Sequence, residues 1–189
     1  MTLNGWPFPI IGSDAEFKRT GNDWVGEDVG WQFGPSLWRL YRSGQFVTLL
    51  GMWRDWYERA PSDFSGDEVQ NWLPLWDTIR QVTAFYEFAA RFSLTEAGDS
   101  AMNVSIKLGN IQGRVLRQDN PRKTPLRNYR FSAPSFSWPR PGANTVARDE
   151  LVGRPRELAA EGLAELFRQF DFNAGPQAIR GWQEELDSP

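Results

Sequence analysis

The chain has 189 residues, 40% apolar and 24% charged, enough for one sizeable core and read here as a single domain over residues 1–189. A net charge of −3 argues against a globally basic polyanion binder. The absence of Cys and His excludes disulfides, thiolate zinc sites, and Ser-His-Asp or Cys-His catalysis within the chain.

From the N-terminus, Gly5-Trp6-Pro7-Phe8-Pro9 is a proline-broken aromatic run, predicted to be extended because residues before proline avoid the helical region. Phe17 and Arg19 fit a short strand, and Gly21-Asn22 a turn. Leu37, Trp38, Leu40 and Tyr41 have helical spacing and predict a short helix broken at Ser43-Gly44. Gln45 to Trp53 reads as a strand, with Phe46, Leu50 and Met52 on one side and Val47, Leu49 and Trp53 on the other. Two apolar faces predict a central, covered strand. Residues 60–71, with Pro61, Ser62, Ser65 and Gly66, read as a loop.

A long helix follows from about Pro74 to Glu96. Leu75, Ile79, Val82, Tyr86 and Ala89 form its apolar stripe, widened by Phe85, Phe88 and Phe92. Asp77, Arg80, Ala84, Glu87 and Arg91 form the opposite face, with Glu87 and Arg91 at ion-pair spacing. Met102, Val104, Ile106 and Leu108 alternate with polar residues and predict a half-exposed antiparallel strand. Gly109-Asn110 then turns the chain so that Ile111 to Leu116 returns as its partner. Residues 118–145 form a long connection with a short strand near 128–132; connections of this length are often functional. Pro155 to Phe170 is a second helix, with Ala159, Leu163, Leu166, Phe167 and Phe170 inward. Asn173-Ala174-Gly175 ends it, and a last helix from Pro176 carries Ile179, Trp182 and Leu186. The pattern predicts an α+β fold: a small, mainly antiparallel sheet packed against one long central helix and C-terminal helices.

No apolar run approaches the ~20 residues of a membrane span. Met1 to Pro9 has neither the basic n-region nor the long apolar h-region of a secretory leader. The expectation is a cytoplasmic protein with no membrane partner.

Charge is unevenly distributed. Residues 107–140 hold 8 basic side chains and 1 acidic one, while the segments on either side are net acidic. The cations are Lys107, Arg114, Arg117, Arg122, Lys123, Arg127, Arg130 and Arg140; Asp119 is the lone acid. Such clusters attract phosphate backbones, and guanidinium groups stack on bases. Tyr129, Phe131 and Trp138 are close enough in sequence to offer stacking surfaces. The expected partner is DNA or RNA. The alternatives are pairing with acidic parts of the same chain, an acidic partner protein, or a phosphorylated small ligand.

Three further features have alternative readings. The ten Trp residues serve either a core or an apolar protein-contact surface, which would make the chain an interaction subunit. Glu157, Glu161 and Glu165, spaced by four, are either an ordinary solvated helix face or magnesium ligands. Asp55, Glu58, Asp63, Asp67 and Glu68 could include an acid/base pair for glycoside cleavage, with Trp53, Trp56 and Trp72 as sugar platforms, although no spacing singles out a pair. There is no phosphate-binding glycine loop and no nucleophile elbow. No cofactor, metal or catalytic residue is assigned, and the chain reads as a non-enzymatic binding or sensing domain.

Several segments together form a recognisable pattern. Trp38-Arg39-Leu40-Tyr41-Arg42-Ser43-Gly44-Gln45-Phe46 leads into Trp53-Arg54-Asp55-Trp56. Phe85-Tyr86-Glu87-Phe88-Ala89-Ala90-Arg91-Phe92 lies on the long helix. Asn103 to Leu108 precedes Gly113-Arg114-Val115-Leu116, Leu166-Phe167-Arg168-Gln169-Phe170 precedes Trp182-Gln183, and Gly5-Trp6-Pro7-Phe8 opens the chain. This resembles the domain that follows a Schlafen AlbA-like DNA-binding domain in some bacterial proteins. The resemblance implies a bacterial, nucleic-acid-associated regulatory or defence protein and carries over no catalytic residue. The chain begins almost at the resembling region. It is therefore expected to be a piece of a longer protein, or to work with a separate partner that carries the DNA-binding or effector domain.

Overall fold

Two short turns shape the first unit. At Gly21 to Trp24 the Gly21 N–H donates to the Trp24 carbonyl (2.9 Å). At Tyr41 to Gln45 the Tyr41 N–H donates to the Gln45 carbonyl (2.9 Å), with Gly44 at φ +80°. Glycine reaches that left-handed conformation without steric cost, as a bulged hairpin turn requires. The computed structural model describes residues 2–3, 6–9, 17–31, 34–52, 55, 71–120, 122–139 and 145–187. They divide into two units, Met1–Asn71 and Trp72–Pro189.

In the first unit, β1 (Thr2–Leu3) pairs with β2 (Trp6–Pro7). Then β3 (Lys18–Thr20), β4 (Trp24–Trp31), β5 (Gly34–Tyr41) and β6 (Phe46–Leu50) form an antiparallel meander in sequence order. The helix expected at Leu37 to Tyr41 is instead strand β5. Leu37 and Tyr41 fall on one sheet face and Trp38 and Leu40 on the other, because β5 lies inside the sheet with β4 and β6 on its flanks. A segment apolar on both faces gives the same short-range spacing as a helix turn. Conversely, β6, expected to be central, is the edge of this sheet, and Leu49 on it is 62% exposed.

The Trp38 ring stacks on Phe46, with centroids 6.2 Å apart. The Arg39 guanidinium lies 4.3 Å over the Trp24 ring and pairs with Asp28. Gly26 faces Arg39 across the β4–β5 ladder; a Cβ there would sit 2.0 Å from the Trp38 carbonyl oxygen.

The second unit begins with β7 (Trp72–Pro74), which runs directly into α1 (Leu75–Ser93). Proline is tolerated at this junction because the first helical N–H groups have no intrahelical partner. β10 (Val115–Arg117) lies between β7, to which it is parallel, and β11 (Tyr129–Arg130), to which it is antiparallel. The strand expected over Met102 to Leu108 is present as two pieces, β8 (Ala101–Asn103) and β9 (Ile106–Gly109), with the predicted alternation of half-buried and exposed residues. Its partners differ from expectation. β9 pairs with β12 (Ser135–Trp138) and β8 with β13 (Thr145–Ala147), while the segment after Asn110 goes to β7.

The C-terminal helices are α2 (Arg148–Gly153), α3 (Pro155–Arg168) and α4 (Pro176–Asp187), and all three pack on α1 or on one another. Ile79, Ile111, Leu116, Phe131, Leu151, Leu163, Phe167, Phe170 and Ile179 form the core. α1 is buried over a wider arc than its stripe predicts. Glu87, placed by its spacing on the outer face together with Arg91, is covered and accepts from Arg156 Nε of α3 at 2.7 Å. The fold is α+β, with an antiparallel four-stranded sheet in one unit and a long helix with C-terminal helices in the other. No helix among the described residues is long and apolar enough to cross a membrane.

Candidate nucleic-acid interface

The basic segment does not form one surface. Arg114, at the start of β10, is only 4% exposed. Its Nε donates to the Asn110 carbonyl at 2.9 Å and its Nη1 to the Trp72 carbonyl at 3.3 Å. It braces the turn between β9 and β10, since a buried guanidinium must find acceptors. The Arg117 guanidinium lies 4.9 Å over the Trp72 ring. Lys107 is exposed on β9 opposite Ser137, away from the loop cations in sequence and in ladder position. Arg140 lies outside the described residues.

Four cations remain around the β10–β11 connection. Arg122, Lys123 and Arg127 are exposed in the loop, and Arg130 is exposed on β11, where its Nη1 donates to the Gly113 carbonyl at 2.6 Å. Lys123 Nζ lies 2.5 Å from Glu185 Oε2 of α4 and 5.5 Å over the Trp76 ring.

The lone acid of the segment is turned inward. Asp119 Oδ1 accepts the Trp76 N–H at 2.7 Å and Oδ2 accepts the Asp77 N–H at 3.1 Å. These are orphan donors in the first turn of α1, whose N-cap residue Pro74 offers no side-chain acceptor. A loop residue 42 positions away thus caps the helix. Burial pushes the Asp119 carboxyl above the usual aspartate range, more than the backbone donors can offset, and the nearby Asp77 carboxylate adds to the rise. With Asp119 spent in this way, the loop contains no other carboxylate of its own to balance its cations.

The segment's aromatic residues are mostly interior. Phe131 is core, 4.9 Å from Phe170. Trp138 is half-buried against Gly162 of α3, where a Cβ would come within 2.6 Å of its ring. Its indole N–H donates to the Tyr86 hydroxyl; burial pushes that hydroxyl up to about 12, with nearby Glu161 adding to the effect. Tyr129 is half-buried, its ring 5.1 Å from Phe172.

From Tyr129 a row of rings continues that the segment's own sequence does not reveal. Phe172 stacks on Trp182 at 6.2 Å and 5°, and Trp182 lies 6.4 Å from Trp76. Phe172, Trp182 and Trp76 come from the α3–α4 connection, α4 and α1. The only signal for them was the apolar stripe of α4. All six described indole side chains, at 24, 38, 72, 76, 138 and 182, are buried or half-buried.

The α3 carboxylates each meet an arginine or its neighbours. Glu157 pairs with Arg180 (3.3 Å), Glu161 with Arg154 (2.5 Å) and Glu165 with Arg168. They line an open cleft with Pro176 and Gln177 at the α4 N-terminus, Glu165 excepted. Among the described residues no three acids converge as metal ligands. Of the loop acids, Asp55 is exposed and Glu58, Asp63, Asp67 and Glu68 lie outside the described residues, as do Trp53 and Trp56. Trp72 is buried in β7. No family model, no curated protein and no solved structure matches the chain.

Proposed function

We propose that the chain is a non-enzymatic binding domain that contacts nucleic acid through the cations of its β10–β11 loop and adjoining strand. The observation that carries this reading is a separation of charge. Arg122, Lys123, Arg127 and Arg130 are exposed, while the one carboxylate in their segment faces the α1 N-terminus. Clustered exposed cations bind phosphates by displacing condensed counterions, so the interaction must weaken with salt. Arg114 holds the β9–β10 turn and Trp138 packs against α3, so neither is counted among the contacting residues. The lack of His and Cys and the arginine pairing of the α3 glutamates favour binding over catalysis. The resemblance to the domain after a Schlafen AlbA-like module is the support for a role in a bacterial regulatory or defence system, alongside a partner subunit.

The test is fluorescence anisotropy of the purified chain with labelled DNA and RNA at two salt concentrations. Binding that falls steeply with salt supports the reading. No binding at low salt overturns it and leaves the loop cations to an acidic protein partner.

A further inference from the structure

We infer that the strand bound by this loop is unpaired nucleic acid, whose bases stack on the partly exposed rings of Trp182, Phe172 and Tyr129, a row anchored on the buried Trp76 ring. The inference rests on the proposed nucleic-acid reading and adds the class of partner and a second set of residues.

Three observations carry it. First, the rings differ from those of the core. Phe131, Phe167 and Phe170 are at most 2% exposed, whereas Trp182, Phe172 and Tyr129 each keep part of their surface in solvent. Second, the rings form a continuous row. Neighbouring centroids lie 5.1–6.4 Å apart, and Phe172 and Trp182 are nearly parallel. Third, the basic loop runs from one end of the row to the other. Lys123 sits over Trp76, and Tyr129 closes the loop against Phe172. Between them Thr124, Pro125, Arg127 and Asn128 are exposed and Leu126 is half-buried.

A π-face beside a line of cations suits a chain that offers base faces and phosphates together. A duplex stacks its base faces on one another and presents only edges and backbone to a protein, so it can use the cations and not the rings. Single strands can use both. Trp182 is the residue on which this depends most, because it contacts both Trp76 and Phe172 within the row. The Lys123–Glu185 bridge, one helical turn along α4 from Trp182, must open or shift for a phosphate to take the Lys123 ammonium.

The probes are labelled oligodeoxythymidylate and oligouridylate of about 12 nucleotides, within the span one such module covers, and a mixed-sequence duplex of equal length. Single strands are expected to bind about tenfold or more tighter than duplex at the same salt. Trp182→Ala is expected to weaken single-strand binding about tenfold, in the range of one stacked base, without changing the salt slope. Because Trp182→Ala could disturb α4, Trp182→Phe is the companion. It keeps a stacking face, so it should bind within about threefold of wild type while losing much of the tryptophan quenching seen on strand binding. The deoxy and ribo probes separate the two sources of an unpaired strand. Equal affinity for duplex and single strand, or undiminished quenching in Trp182→Phe, overturns the stacking inference while salt-dependent binding through Arg122 and Arg127 survives. Absence of all binding overturns the nucleic-acid reading as well.

Discussion

Replacing Asp119 with Ala removes the acceptor for two backbone donors at once. The Trp76 and Asp77 N–H groups have Asp119 Oδ1 and Oδ2 as their acceptors at 2.7 and 3.1 Å, and Pro74 contributes no side-chain cap. An N-cap acceptor contributes about 1 kcal/mol and up to about 2 kcal/mol, and each donor left buried costs about 1–3 kcal/mol. Release of a desolvated carboxylate offsets part of that loss, and the expected net destabilisation is about 2 kcal/mol. Asp119→Asn retains one carbonyl acceptor and should lose about half as much.

The sign of the pH dependence follows from the raised carboxyl. Its contribution is fully present below the ordinary aspartate value and is lost as pH rises through the raised folded value. Wild type should therefore lose stability relative to Asp119→Asn over that interval. The assay is urea unfolding followed at 222 nm. All four described helices lie in residues 72–189, so the signal reports that unit. A midpoint lowered by about 1 M is expected for Asp119→Ala. A midpoint within about 0.2 M of wild type would refute the capping account, since that corresponds to less than one hydrogen bond.

Three other outcomes are expected. Gly162→Ala should destabilise by about 1–2 kcal/mol in thermal unfolding despite the better helix propensity of alanine, because its Cβ would press on the Trp138 ring held by Tyr86. Gln183→Ala should cost about 2 kcal/mol, since its buried amide donates to Thr83 Oγ1 at 2.8 Å and to the Arg156 carbonyl at 3.2 Å, and accepts from Arg180 at 3.0 Å. In an ultraviolet titration, Tyr86 should stay protonated until about pH 12. Its raised value means that the stability it contributes is present below pH ~10 and lost as pH climbs through the folded value; a Tyr86→Phe titration curve identical to wild type would contradict this.

The parts of the fold that could be read from sequence are those fixed by local period. α1, α3 and α4 follow their apolar stripes, and the alternation from Met102 to Leu108 appears as β8 and β9. What could not be read depends on partners distant in sequence. The Leu37 to Tyr41 segment becomes a strand only because β4 and β6 flank it, and Leu49 on β6 is exposed because no further described strand pairs beyond it. Glu87 looks outward on a helical wheel until α3 brings Arg156 across it. In the candidate interface, sequence located the cations but not their fates. Arg114 and Arg122 are alike in sequence, and one braces a turn while the other is exposed. Asp119 caps a helix 42 residues earlier, and Trp76, Phe172 and Trp182 meet only through the packing of α1 and α4.

The most direct measurement of the central claim is the salt dependence of oligonucleotide binding by wild type and by Arg122→Ala/Arg127→Ala. Each single-strand phosphate contact contributes about 0.7 to the slope of log affinity against log salt. The account predicts weaker binding by the double variant at every salt concentration, with the slope reduced by about 1.4. Equal affinity and an equal slope in the two proteins would contradict it, and would remove the β10–β11 loop from the binding surface.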